Sequence, residues 1–385
     1  MNIHFISLMI SLLFFFDQSF AQVIPGEYQE EDSSISLPIK ENLRTSALVG
    51  EFQSGPFYTP SEVSSFSQFQ KVFGNLSSDS SYAVFSFFQN HGKKLTIIRT
   101  EYRSGLFFDR DVEVALDKIS NLGLLAFPEM RSISLLPAGI KEEIQAYAVK
   151  RNAMIVIDME KDIKNVTEVK KWLKNNQINS KQFVSYYPYL NIIDPITQNL
   201  KTIPNSGAML GLYAYNDALF GIWKAPAGTR FVLSVASLSS NSAGRDYCNN
   251  LTPVNCLKFQ DHIGYFPFGA RTLSDDPEYK YIPTLRLINQ IKTDLLKGLE
   301  WVVFVPNDQR AWATIKTKIE EYLTTLWKKG ALVGTKSQEA FYAKCDRETM
   351  TNSNLEHNQT VAAVGVATLR PAAFLNFYLP FYRTP

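Results

Sequence analysis

YIPTLRLINQIKTDLLKGLEWVVFVPND, residues 281–308, decides how the carboxy-terminal part of this chain folds. Ile288, Ile291, Leu295 and Leu299 recur at three- or four-residue spacing, which predicts a helix over residues 285–299 with one buried face. Gly298 stands near its end, and the apolar run at residues 301–305 predicts a strand. Asn307 or Asp308 then offers a side-chain oxygen to the first backbone N–H groups of a second helix. That helix directs Trp312, Ile315, Ile319, Tyr322, Leu323 and Leu326 inward. Gly330 supplies its left-handed stop, and Lys328 and Lys329 suit the negative end of its dipole. Further on, residues 360–368 and 373–379 are two β-rich runs around Arg370 and Pro371. Two strands alone are marginal and leave edges open.

Working toward the amino terminus, strand and helix signals alternate. Residues 95–99, 122–127 and 153–157 are short apolar runs of strand length. Residues 112–119, 141–150 and 166–174 mix charged and apolar positions as amphipathic helices do. Residues 183–193 read as another strand, interrupted at Pro188. Strand, helix, strand, helix is the pattern of a parallel sheet covered on both faces, so the fold class is mixed α/β.

Composition permits this and excludes little. The chain has 385 residues and is 45% hydrophobic, enough for one large or two medium domains. Lys plus Arg number 39 and Asp plus Glu 37, a balance that argues against a dedicated nucleic-acid binder. The 27 Phe and 18 Tyr serve a large core or extensive subunit contacts.

Nothing in the sequence assembles an active site. Asp158 follows a predicted strand, where an enzyme could bind a ribose or a metal, but no Gly-rich phosphate loop precedes it. The glycine-rich PNSGAMLG, residues 204–211, lacks the Lys and Ser/Thr that grip phosphate, and reads as a tight loop. Ser206 and Ser234 have no nucleophile-elbow context. His91, His262 and His357 are scattered, and no CxxC or HExxH spacing occurs, so no metal and no cofactor are expected. Cys248, Cys256 and Cys345 are too few for a disulfide framework. Cys248 and Cys256 could pair in an oxidising compartment, but buried free thiols are the expected state.

Taken in order, several segments resemble the contractile tail sheath family, the outer-tube subunits of phage tails and tail-like injection machines. They are IPGEYQEE (24–31), TSALVGEFQSGPFYTP (45–60), FGN (73–75), FFQNHGKKLTIIRT (87–100), SYYPYLNIIDP (185–195) and IPNSGAMLGLYAYNDALFGIWKAPAG (203–228). GARTL (269–273), LWKKGALVG (326–334), AFYAKCD (340–346) and RPAAFLNFYL (370–379) follow. One departure is Phe220 before Gly221, where that family usually has an arginine. The segment after Thr100 is short, so the large outer domain of many sheaths is expected to be absent.

The resemblance implies function in subunit contacts. Ile24, Pro25, Gly26, Tyr28, Glu30 and Glu31 would form a subunit-linking amino-terminal arm, and Phe374, Leu375, Phe377 and Tyr378 the strand it joins in a neighbour. Trp223, Pro226, Gly269, Arg271, Trp301 and Trp327 would be family-motif core positions. The implied divisions are 1–21, a signal-like segment; 22–44, arm and linker; 45–230, an α/β domain; and 231–385, a carboxy-terminal domain. Implied partners are further copies of the chain, an inner tube protein, and baseplate and tail-terminator proteins, with no nucleic acid and no small-molecule substrate. Two other readings are an enzyme on a doubly wound domain acting on a nucleotide or phosphate ester, and an exported surface-layer protein.

The amino terminus bears on the last of these. Residues 5–16 are uncharged and apolar but too short to span a bilayer, and Ser19 and Ala21 sit where a signal peptidase would cut. No Lys or Arg precedes the run. Either this is an export signal or it is an apolar extension from an upstream start. The resemblance implies assembly in the cytoplasm, and the signal-like segment leaves export open.

Overall fold

The computed structural model describes residues 39, 44–101, 108–130, 136, 139–240 and 245–382. The alternating half contains β1 (Thr45–Gly50), β2 (Ser61–Val63), α1 (Phe66–Phe73), α2 (Asp79–Gln89), β3 (Leu95–Arg99), α3 (Arg110–Asp117), β4 (Leu122–Ala126), α4 (Ile140–Lys150), β5 (Met154–Ile157), α5 (Val166–Asn176) and β6 (Phe183–Tyr187). Next come β7 (Leu190–Ile193), β8 (Leu200–Ile203), α6 (Ser206–Phe220), β9 (Ser237–Leu238), α7 (Arg245–Asn250), β10 (Asn255–Gln260) and β11 (Gly264–Phe268). The last part holds α8 (Ile282–Gly298), α9 (Gln309–Lys328), α10 (Ser337–Ala340), β12 (Phe341–Lys344), α11 (Asn352–Glu356), β13 (Gln359–Ala367) and β14 (Phe374–Tyr382).

Eight strands form one sheet in the order β11-β10-β6-β5-β4-β1-β3-β2. From β10 to β3 every pairing is parallel, and β11 and β2 close the two edges antiparallel. Successive side chains alternate between faces. Leu48, Ile97, Leu124, Met154 and Val184 pack on one side with α1, α2 and α6. Ala47, Ile98, Leu125, Ile155 and Phe183 pack on the other with α3, α4 and α5. Burial on both faces explains why these strands read as unbroken apolar runs. Strands β10 and β11, from beyond residue 230, belong to this same sheet.

Two sequence expectations are corrected here. Residues 204–211 are not a tight loop; they begin α6, buried along its first turns. A Cβ on Gly207 would lie 2.1 Å from the Ala83 carbonyl oxygen, and one on Gly211 would lie 2.5 Å from that of Phe87. The glycines let two helices touch backbone to backbone. Residues 301–305 are not a strand either: Glu300–Phe304 is a short 3-10 helix. Leu299 and Val302, three apart, are buried, whereas Phe304 is 84% exposed. That is helical spacing, which an all-apolar run conceals.

The third core lies between α8, α9 and a three-stranded sheet, β12-β13-β14. Asp308 caps α9 by accepting from Ala311 N at 2.9 Å. Asn307 instead accepts from Trp312 Nε1 at 2.7 Å and from Thr360 Oγ1 at 2.8 Å, tying the helix to β13. Gly330 has φ +78°, the left-handed stop expected of it. The two expected terminal strands are β13 and β14, in register from Gln359↔Tyr382 to Ala367↔Phe374, with β12 added.

Candidate functional site: the terminal sheet and the motif cleft

Side chains of β14 alternate strictly. Leu375, Phe377, Leu379 and Phe381 point into the third core, while Asn376, Tyr378, Pro380 and Tyr382 face outward. Phe374 is half-buried, with its ring edge-on to Tyr342 at 5.3 Å. Tyr342 donates to Asn376 Oδ1 at 2.9 Å. Tyr378 and Tyr382 are each 68% exposed. Among the described residues β14 pairs only with β13, so its far edge is open. Pro380, which has no N–H to give a ladder, is tolerated on such an edge.

The described chain enters this body at a clamp. Ile39 lies against α8 so closely that a Cβ on Gly298 would sit 2.7 Å from its side chain. Arg44 donates to Thr293 Oγ1 of α8 at 2.7 Å and to the Asn152 carbonyl at 2.6 Å, with a third bond to the Arg151 carbonyl. Burial, then the nearby Arg286 guanidinium, pull its pKa down to about 10, and Asp294 works the other way. The residues expected to form the arm, Ile24, Pro25, Gly26, Tyr28, Glu30 and Glu31, lie outside the described residues.

Three motif residues far apart in sequence, Trp223, Gly269 and Arg271, line one cleft of about 540 Å³. Tyr281, Leu287 and Leu369 complete its largely apolar wall. Two buried asparagines build it. Asn216 donates to the carbonyls of Gly221 and Lys224, holding the turn that presents Trp223. Gly221, at φ +85°, is required there because a Cβ would strike the indole at 2.5 Å. Asn255 accepts from Arg271 N at 2.7 Å and donates back to the Arg271 carbonyl at 2.8 Å. The Arg271 side chain reaches Thr252 Oγ1 at 2.8 Å. The other motif positions stay out of the cleft wall. Pro226 is buried, Trp301 packs half-buried on the third core, and Trp327 Nε1 donates to the Gly334 carbonyl at 2.9 Å.

Beside the cleft runs a buried ion pair. Arg286 on α8 grips Asp217 on α6 with two bonds, the first 2.7 Å long, and its guanidinium lies 4.9 Å over the Tyr213 ring. Burial works against its charge, but Asp217 outweighs that and holds its pKa above the ordinary value. Tyr213 and Tyr186 share a hydrogen bond of 2.8 Å. Sequence reasoning missed this group, and also Asn216, Asn255 and Arg44. The signal was an arginine inside the apolar LRLI of α8, since a charge on a buried helical face needs a partner.

The strand-end acids serve the fold. Asp158, after β5, accepts from the backbone N of Asn205 and of Ser206 at 2.9 and 3.0 Å, capping α6. Glu129, after β4, accepts from Ser80 N at 2.6 Å and from the Ser80 hydroxyl at the start of α2. The order β3-β1-β4-β5-β6 is that of flavodoxin-like doubly wound sheets, in which ligands sit at the carboxyl ends of the strands that β1 and β4 represent here. In this chain that helix N-terminus is occupied by its own carboxylate. Burial, opposed by the Ser80 bonds and helped by the charge of Glu51, lifts the Glu129 pKa to about 7. Among the described residues no group of three His, Cys, Asp or Glu converges as metal ligands would.

Residues 274–380, which contain α8, α9 and all but the last two residues of the terminal sheet, match the family model of the phage tail sheath C-terminal domain. This segment belongs to the tail sheath family. Curated relatives include the tail sheath proteins of Vibrio phage KVP40, 26% identical over 48% of this chain, and of Enterobacteria phage T4, 25% identical over 46%. A prophage tail sheath protein of Pseudomonas aeruginosa is 22% identical over 51% of this chain. The matches span about half the length of the Pseudomonas protein (51%) and about a quarter of the phage proteins (27% and 26%). The fold similarity is wider. The sheath of an extracellular contractile injection system in its contracted state superposes with TM-score 0.74 at 23% identity, over 92% of this chain and 96% of that one. The contracted helical sheath of the anti-feeding prophage gives 0.71 at 24%, over 92% and 98%. The chain therefore has the sheath fold throughout its described body. The short connection between β3 and α3 leaves no place for a large outer domain there.

Proposed function

We propose that this chain is the structural subunit of a contractile sheath, which polymerises around an inner tube and shortens to drive that tube through a target envelope. The observation that carries the reading is the terminal sheet. Its outermost strand is long, regular and, among the described residues, edge-open, and the residues that follow the expected arm are clamped to α8 beneath it. In this account the arm of one copy adds as a strand to the terminal sheet of another. Main-chain hydrogen bonds then join the subunits with little dependence on side-chain detail. A head-to-tail contact that does not close on itself generates a helix of subunits. Contraction is a shift from an extended lattice to one in which the bodies pack more deeply, the strand links acting as hinges.

The partners on this reading are further copies of the chain, an inner tube protein, and baseplate and tail-terminator proteins. The reading calls for no catalytic centre and no cofactor. Negative-stain microscopy of the purified chain tests it. Hollow, striated cylinders of uniform width are expected, and monodisperse particles or flat sheets under all assembly conditions would contradict it.

A further inference from the structure

Cys248 and Cys256 are joined by a disulfide, not left as the separate buried thiols the sequence suggested. Their Cα atoms are 5.2 Å apart, a separation that a disulfide bridges without moving the backbone. The bond links α7 to β10 and lies in the second core with Leu251 and Val254. It fastens a weak joint. β10 meets β6 through two residue pairs, Asn255↔Tyr186 and Cys256↔Tyr187, whereas it meets β11 through five. The β10–β11 hairpin in turn carries the segment before β9, because Gly228 N donates to the Pro267 carbonyl at 2.8 Å and Leu233 N to that of Tyr265 at 2.7 Å. The closed loop also holds Thr252, which accepts from the Arg271 side chain, and Asn255, which binds the Arg271 backbone. One wall of the motif cleft therefore hangs on this loop.

Neither cysteine needs the bond in order to be buried. Cys248 is 7% exposed and Cys256 1%, and a thiol packs in a core as a small apolar side chain. Nor does the fold need it, since a chain of 385 residues with three apolar cores is well above the size at which disulfides must make up for a small core. The sequence separation is 8, and so short a bridge constrains the unfolded chain less than a long one would, which makes its effect local. Thiols are kept reduced in a cytosol, and the disulfides that do occur there are mostly transient or redox-sensing, whereas an oxidising medium favours the closed bond.

We propose that Cys248 and Cys256 form a redox-controlled staple: a dithiol among reduced thiols, and in an oxidising medium a disulfide that locks the β10–β11 joint and the Arg271 wall of the cleft. The reactant is a low-molecular-weight disulfide such as glutathione disulfide. The Cys248 thiolate, the more accessible of the two, attacks one sulfur of the oxidant and releases the other as a thiolate. Cys256 then loses its proton and attacks the Cys248 sulfur of the mixed disulfide, releasing the second glutathione. Two cysteine S–H groups become one S–S bond, the oxidant's S–S bond becomes two S–H groups, and the two cysteine protons pass to it. In the dithiol form the loop opens more often and Arg271 loses its fixed anchor. A chain made among reduced thiols and later exposed to an oxidising medium would gain rigidity at this wall without a new partner. This inference concerns the rigidity of the body and stands apart from the sheath reading.

The test is the purified full chain equilibrated in buffers of rising oxidised-to-reduced glutathione ratio. Thiols are trapped with a maleimide and the digests read by mass spectrometry, while hydrogen exchange follows the folded chain. The cross-link between Cys248 and Cys256 should appear and disappear reversibly across the series with the fold retained. Amides of residues 251–257 and 269–273 should exchange roughly tenfold or more faster in the dithiol form. Amides of α9 should exchange alike in both forms. Cys248→Ser should behave as the dithiol form in every buffer, and a redox-dependent difference in that variant would overturn the proposal by placing the effect elsewhere. A pair that stays open at the most oxidising ratio, or closed until the chain unfolds, would also overturn it. So would equal exchange of the two segments in both forms, because the bond would then hold nothing in place.

Discussion

The eight-stranded sheet and the three-stranded terminal sheet solve the same problem in opposite ways. In the large sheet both faces are covered, both edges end in short antiparallel strands, and the helix N-terminus at the switch point is filled by Glu129. In the terminal sheet one face is buried against α8 and α9, the other presents Tyr378 and Tyr382, and the β14 edge has no partner among the described residues. An open edge invites pairing with another chain, and proteins that do not use such an edge blunt it. The difference teaches that a doubly wound sheet, so often the seat of ligand chemistry, here serves as a sealed body. On the proposed reading, the terminal sheet is the part that a partner finishes. The comparison holds only if damage to the body costs folding and damage to the edge costs assembly.

Arg286→Ala should have the largest effect on the body. It leaves the Asp217 carboxylate without its guanidinium beside a buried Tyr213. Removing one partner of a buried pair costs about 3–5 kcal/mol, which a denaturant titration would read as a lower midpoint. An unchanged midpoint would mean that the pair is solvated and that α6 and α8 are not locked together. Asp158→Ala should cost somewhat less, about 1–3 kcal/mol, because two buried backbone N–H groups at the start of α6 lose their acceptor. In the sequence Asp158 had no phosphate loop before it and so no catalytic role to lose. The cap makes it a stability mutation, and any assembly defect should be rescued by conditions that restore folding.

The next effect is pH-dependent. The Glu129 pKa is raised from the ordinary 4.5 to about 7, so the folded chain binds a proton there more tightly than the unfolded chain does. Stability therefore falls as pH rises from about 4.5 to about 7 and is level above that. The contribution is about 1–3 kcal/mol once the partial exposure of the residue is allowed for. Glu129→Gln should flatten the profile across that window, as thermal melts at pH 5 and pH 8 would show. A wild-type profile that rises through the same window would assign the carboxylate the opposite role. The smallest effect on folding belongs to the open face. Tyr378→Ala, at a residue 68% exposed, should change monomer stability by no more than about 0.5 kcal/mol.

The sequence revealed periodic features well and conditional ones poorly. α9 could be read with its cap at Asn307 or Asp308 and its Gly330 stop because cap, stripe and stop are local signals. The parallel strands were readable because burial on two faces leaves an apolar run. The same rule failed at residues 301–305, where one apolar run fits a strand or a tight helix and only the neighbours decide. At Gly207 and Gly211 glycine meant helix contact, not a turn, and no local signal separates the two. The Arg286–Asp217 pair and the Asn216 and Asn255 clamps join residues too distant in sequence to be matched by spacing. Of the six motif core positions, Trp223, Gly269 and Arg271 meet at one cleft, whereas Pro226, Trp301 and Trp327 do not line it.

The most direct test of strand addition between subunits is removal of residues 22–33 from the chain, compared with the intact protein by melting temperature and by electron microscopy. The described body contains none of these residues. Each lost inter-subunit backbone hydrogen bond is worth on the order of 1 kcal/mol, and every subunit of the lattice would lose several. The account predicts a folded monomer with a nearly unchanged melting temperature that forms no long cylinders. Full-length cylinders from the shortened chain would contradict it.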